Sequence, residues 1–144
     1  MTHSETPFIQ INDEQADTDE VPLDLLAFAN QLSHHLALNF HYIEITLLSE
    51  QDIKSLNTEY FKVNEATDTI TFNLTPNEAI TGDIYLCPSI IKKNALKFNC
   101  SYEKEFRIVL IHSFLHLIGH DDQTLESFDT MKQKQEAIYE DLVK

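Results

Sequence analysis

The sequence predicts an α+β fold. Four short segments alternate apolar and polar residues and are rich in β-branched side chains, and five longer stretches repeat apolar residues at helical spacing. Alternation buries one face of a strand, whereas spacing near 3.6 buries one stripe of a helix. At 144 residues the chain is a single domain, residues 1–144, long enough to bury roughly two-thirds of its unfolded surface.

The elements follow in order. Phe8-Ile9-Gln10-Ile11 is a short strand, and an acidic link continues through Glu20, so residues 1–20 hold a strand and a connection. Val21-Pro22 opens a helix running to about Leu38, with Pro22 suited to its first turn. His41 to Leu48 alternates and reads as a strand. Ser49 is the N-cap of the next helix, with Asp52 at the third position in the manner of a capping box; Ile53, Leu56, Tyr60 and Phe61 follow on that helix. Asp68 to Leu74 and Gly82 to Cys87 are strands separated by a loop at Pro76. Pro88 leads a helix to about Phe98, Tyr102 to Ile118 forms an apolar helix, and Thr124 to Leu142 forms a final amphipathic one. With only two glycines, loops rely on Asn, Asp and Pro.

The chemistry concentrates in Ile111-His112-Ser113-Phe114-Leu115-His116-Leu117-Ile118-Gly119-His120-Asp121-Asp122. His112 and His116 are four residues apart and share one helical face. Gly119 can take the left-handed conformation that ends a helix. The chain then reverses and Asp122 can return an oxygen to the two imidazoles. Two nitrogens and one carboxylate leave a position open, the layout of a catalytic metal site. His120 is the rival third ligand, although the helix-to-turn spacing favours Asp122. A buried helix carrying two histidines by chance is the bland alternative. A zinc peptidase places its general base directly after the first histidine, and Ser113 there cannot take a proton from water at neutral pH, so a peptidase is disfavoured.

Net charge is -14, from 10 basic and 24 acidic residues, which argues against a protein that coats nucleic acid by counterion release. Lys92, Lys93, Lys97, Lys104 and Arg107 nevertheless cluster just upstream of the metal helix, where they form either a local positive face or the solvated side of two helices. The two cysteines, Cys87 and Cys100, fit neither a disulfide scaffold nor a zinc knuckle and are expected as buried thiols. The N-terminus lacks the cationic start and apolar run of a signal peptide, and no stretch approaches a membrane span, so a cytoplasmic setting is expected without a membrane partner. His34 and His35 are consecutive on a helix and cannot share a cleft; they, His41 and His3 are expected in surface or packing roles.

The segment His112 to Asp122 follows H-G-x-L-H-L-x-G-Y-D-H, the signature of the endoribonuclease YbeY family of bacterial rRNA maturation factors. Leu56-Asn57-Thr58-Glu59-Tyr60 is similar to the family's L-N-x-x-Y, Thr67 to Phe72 to its T-D-V-L-S-F strand, and Gly82-Asp83-Ile84 to its G-D-I strand. Over roughly residues 40 to 140 the chain resembles that family. The resemblance implies a small mixed β-sheet packed against helices, with a metal-binding cleft between them. It implies one zinc per chain, with another divalent metal as the alternative, and cleavage of single-stranded rRNA in 16S 3′-end processing and ribosome quality control. The ribosome or a small-subunit protein is the implied partner, and DNA is not expected.

Four positions depart from the family. Asp122 stands where the third ligand is usually histidine; an anionic ligand acidifies bound water less and suits several first-row ions. His120 replaces a tyrosine and Ser113 a glycine. Phe61 stands where the family has an arginine credited with phosphate or catalytic contact. Arg107 is the candidate substitute as a phosphate clamp, with a surface ion pair as its alternative. Asp121 is the nearest carboxylate outside the ligand set, either a general base or a partner orienting a histidine ring. Asn57, Tyr60, Asp68 and Thr71 match family blocks, but from the residues alone they supply caps and hydrogen bonds. Two function classes follow: a metal-dependent endoribonuclease, and a non-catalytic ribosome-assembly factor in which the metal is structural.

Overall fold

The computed structural model describes residues 6–15 and 19–143; His3 and part of the acidic link lie outside them. Its elements are β1 (Phe8–Asp13), α1 (Leu25–His35), β2 (Phe40–Leu47), α2 (Glu50–Phe61), β3 (Thr69–Asn73), β4 (Ile80–Leu86), α3 (Pro88–Lys97), α4 (Tyr102–Leu117) and α5 (Leu125–Leu142). The strands form one sheet of order β1-β2-β4-β3. β1, β2 and β4 run parallel and β3 is antiparallel to β4, so the sheet is mixed, as expected.

Strand alternation gives the sheet two different faces. Ile9, Ile43, Ile45, Ile84 and Leu86 are buried on one face in the main core with Phe28 and Leu32 of α1 and Phe106, Leu110 and Phe114 of α4. The opposite face carries a smaller cluster of Leu48, Ile53, Ile70 and Cys87 at α2. Register puts Ile43 beside Ile9 on one side and beside Gly82 on the other. Gly82 lets helix and sheet close: a Cβ there would stand 2.8 Å from Cδ2 of Leu117. Both strands of the sheet's β3 margin are therefore held tightly to the end of α4. Asn73 adds a hydrogen bond from its side-chain amide to the Leu117 carbonyl, 3.0 Å.

Several element boundaries differ from the sequence expectation. α1 begins at Leu25 rather than Val21, because Asp24 caps it by accepting from the Ala27 amide, 3.0 Å; Pro22 lies in the preceding bend. A carboxylate cap satisfies an orphan amide, whereas proline only tolerates the first turn. α1 also stops at His35, and Ala37 follows at φ 48. β4 begins at Ile80, whose amide donates to the Asn39 carbonyl, 2.9 Å. Ser49 caps α2 as expected, accepting from the Asp52 amide. Cys87 is buried as expected, but Cys100 is half-buried; both are free thiols, and burial pushes each up from its ordinary pKa. Among the described residues no helix is long and apolar enough to cross a membrane.

Candidate metal centre

α4 supplies two histidines from one face, and the way it ends places the third group. Its C-terminus closes with Gly119 at φ 97, the Gly119 amide donating to His116 (3.1 Å) and the His120 amide to Leu115 (3.0 Å). This is the paired bonding of a Schellman stop, which needs a residue free of Cβ strain at that position. The far end of the turn is fixed by a capping box on α5, where Thr124 accepts from the Ser127 amide and Ser127 returns the bond. Between these anchors the Asp121 carboxylate accepts from the Gln123 amide, 3.3 Å, and Asp122 swings back toward α4.

His112 Nε2 and His116 Nε2 face each other at 3.0 Å. Asp122 Oδ2 lies 3.5 Å from the first and Asp122 Oδ1 3.8 Å from the second. The three residues form a group that could hold a metal ion. Ligand bonds of about 2.0–2.2 Å in a tetrahedron separate ligand atoms by roughly 3.3–3.6 Å. The observed spacings straddle that range, so the donor set fits a single small divalent ion with little rearrangement. The side chains of His112, His116 and Asp122 are 24%, 31% and 33% exposed, which leaves one side of the group open to solvent.

Electrostatics and second contacts favour ligation. The His112 Nδ1–H donates to Gln135 Oε1 on α5, 2.5 Å away, which directs the Nε2 lone pair into the group. Burial, and then the neighbouring His112 ring, hold His116 below the ordinary histidine pKa, against the pull of Asp122, Asp121 and the His120 backbone. Neutral imidazole is the form that binds metal. Behind α4, Ser113 is fully buried. It donates to the Val109 carbonyl (2.9 Å), and its oxygen is 2.8 Å from the Thr69 hydroxyl, so Thr69 donates to it. Serine in place of the family's glycine therefore ties β3 to the metal helix.

The remaining expected residues are placed less favourably. His120 turns away: its Nε2 lies 3.4 Å from Lys134 Nζ, so Asp122 rather than His120 completes the group. Asp121 is exposed, and its hydrogen bond goes to Gln123 rather than to a histidine ring, which does not fit an orienting role. Arg107 is not brought to the cleft. Five residues before His112, it lies about 140° around the helix. It pairs with Glu103 at 2.9 Å and lies over the Phe28 ring at 5.0 Å, contacts of the kind the ion-pair alternative describes. In the basic cluster, Lys92, Lys93 and Lys104 pair with Asp19, Glu50 and Glu136, as on the solvated side of two helices.

Sequence reasoning missed two polar groups, Gln135 and Glu105, and gave a third, Asp68, only a capping and hydrogen-bonding role. Gln135 has no local signal, since only α4–α5 packing brings it to His112. Asp68, at the start of β3, is pushed above the ordinary carboxylate pKa by burial while His112 draws it back down. Its carboxylate at the head of an alternating strand was the available signal. Glu105, on the His112 face of α4 two turns earlier, is buried, and desolvation with the Asp68 charge raises it to about 7.

A mixed sheet backed by a helix that ends in an open two-histidine, one-carboxylate group defines a small α+β protein with the layout of a metallohydrolase. Comparison with known proteins makes this specific. The family model for endoribonuclease YbeY matches residues 8–143, and the chain belongs to that family. It is 37% identical over 103 residues to the endoribonuclease YbeY of Thermotoga maritima, covering 68% of each chain. It is 43% identical over 84 residues to that of Chlorobium limicola, covering 58% of each. The solution structure of TM1509 from Thermotoga maritima is similar, with 29% identity, a TM-score of 0.60, and coverage of 94% of this chain and 91% of that one.

Proposed function

We propose that the chain is a zinc-dependent endoribonuclease cutting single-stranded rRNA during 16S 3′-end maturation and ribosome quality control, with His112, His116 and Asp122 holding the ion. The reading rests above all on the open His112–His116–Asp122 group, whose spacing suits one divalent ion and whose solvent side can admit a phosphate. A bound ion would supply Lewis-acid assistance at a phosphate oxygen, and two histidines with a carboxylate also suit other first-row ions. The chain's own groups set the stage for that chemistry. Gln135 holds the His112 ring in one orientation and tautomer, and Asp122 contributes the anionic donor. Asp121, exposed at the mouth, is the proton acceptor we favour, because an exposed carboxylate can pass a proton to water. The ribosome or a small-subunit protein supplies localisation, and the cytoplasm is the setting this implies.

The alternative, a non-catalytic assembly factor with a structural ion, draws weight from Phe61 and from the paired lysines. Against it stands the openness of the group, since structural zinc is enclosed by four protein ligands. Metal analysis and cleavage of a labelled single-stranded rRNA fragment, on wild type and His116→Ala together, separate the two. Cleavage by wild type alone, lost on chelation, is expected. One ion per chain without cleavage, in the presence of purified small subunits, would leave the assembly factor standing.

A further inference from the structure

The aromatic residues at the end of α2 have no role in the metal centre, yet they are arranged as a surface. Tyr60 and Phe61 are 58% and 51% exposed. Phe61 lies parallel to Phe72 of β3, with 6° between planes and 6.0 Å between centroids. Tyr60 meets Phe72 edge-on at 5.2 Å, and Phe72 meets Tyr85 edge-on at 6.2 Å. Phe61 presents a ring half open to water and backed by Phe72, with Tyr60 beside it inclined at 60° to Phe72.

The position of this surface connects it to the cleft. Among the described residues β3 is an edge strand, paired with β4 alone. Its Thr69 and Asn73 side chains bond α4 beside the histidines, while Ile70 and Phe72 point to the opposite face. β3 therefore lies between the helix that carries the metal group and the rings, so a single strand crossing its free edge would meet both. Charge says what part of the strand the rings would meet. On a chain of net charge -14, Lys92, Lys93, Lys104 and Arg107 are in ion pairs and Asp83 sits opposite Phe72 in the β3–β4 ladder, so these four cations add little attraction for phosphates. Stacking on aromatic rings is an uncharged, sequence-tolerant source of affinity for a single strand.

We propose that Tyr60, Phe61 and Phe72 form a platform on which one unpaired base of the RNA substrate stacks, across the edge of β3 from the His112–His116–Asp122 group. The proposal rests on the endoribonuclease reading above. It gives Phe61 a function of its own in place of the arginine expected at that position. Protein docking to the same rings is the competing occupant.

The test uses the full chain, a fluorescein-labelled single-stranded oligoribonucleotide and a chelator, so that binding is read without cleavage. Phe61→Leu keeps an apolar side chain and removes the ring, and Phe61→Trp keeps a ring. We expect binding about tenfold weaker for Phe61→Leu at every salt concentration and undiminished for Phe61→Trp. 2-Aminopurine moved along the oligonucleotide should be quenched at one or two positions by wild type and at none by Phe61→Leu. With metal restored, KM should rise for Phe61→Leu while kcat holds. If Phe61→Leu unfolds, Tyr60→Leu is expected to show the same pattern at smaller size. Equal binding by wild type and the leucine variants overturns the platform even if wild type cleaves. So does loss of binding to purified small ribosomal subunits with oligonucleotide binding intact, which assigns the rings to a protein. Wild type that neither binds nor cleaves RNA, alone or with subunits, removes the endoribonuclease reading itself.

Discussion

The Nδ1–H of His112 donates to Oε1 of Gln135 across the α4–α5 interface. Through this bond α5, which contributes no ligand, fixes the ring that α4 presents. Loss of such an outer partner typically lowers metal affinity 10–100-fold. Gln135→Ala should therefore bind zinc about 10–100-fold more weakly in a chelator competition, with one ion still bound at saturation. Gln135→Glu, which retains the acceptor, should recover most of the loss. Unchanged affinity in Gln135→Ala would show that helix packing alone orients His112.

Asp122 and His120 separate cleanly as third ligands. The Asp122 carboxylate lies 3.5 Å from His112 Nε2, whereas the His120 ring faces Lys134. Asp122→Ala should lose stoichiometric metal and RNA cleavage together, while His120→Ala should keep one ion per chain. Asp122→His, which restores the family's residue, should bind zinc again. Retention of the ion in Asp122→Ala with its loss in His120→Ala would reverse the assignment.

Much of this was legible in the sequence, and the limits have physical causes. Ligand spacing along one helix is local: His112, His116 and the Gly119 stop depend on helical geometry alone, and the turn that returns Asp122 is encoded within a few residues. The four strands were legible because alternation is also local, although antiparallel placement of β3 beside β4 is not. The contacts of Arg107 were not legible, because sequence distance along a helix says nothing about which neighbour covers each face. Phe28 of α1, far away in sequence, claims it. The ion pairs of Lys92, Lys93 and Lys104 were not legible for the same reason, their partners Asp19, Glu50 and Glu136 lying elsewhere in the chain. Gln135 and the raised Glu105 are products of tertiary packing, and no local pattern marks them.

Arg107 should prove structural. Its guanidinium lies over Phe28 and pairs with Glu103. A cation–π contact of about 0.5–2 kcal/mol and an exposed i,i+4 pair of about 0.3–0.5 kcal/mol set the scale. Arg107→Ala should destabilise the fold by about 1–2 kcal/mol in urea unfolding and leave kcat within about twofold. A hundredfold fall in kcat at unchanged stability would return Arg107 to the reaction.

Glu105 gives the pH dependence its sign. It is buried on α4, with Cys100 Sγ 3.9 Å from its carboxylate, and it feels Asp68 of β3, Glu136 of α5 and its neighbour Lys104. Burial first, and then the Asp68 charge, raise it from 4.5 to about 7 in the fold. Below the ordinary value both folded and unfolded chains hold the proton, and the contribution to stability is fully present. Between 4.5 and about 7 the unfolded chain ionises first, so stability is lost as pH rises, and above that window the loss is constant. The full loss is about 3 kcal/mol, at about 1.4 kcal/mol for each step of one in pKa. Glu105→Gln cannot ionise and should lack it. Asp68, raised in the same direction, stays in both proteins and largely cancels from the comparison. Urea unfolding of the two proteins from pH 4 to pH 8 should show the variant gaining about 3 kcal/mol on wild type, most of it before pH 7. A constant difference across that range would mean that Glu105 ionises in the fold as it does in water.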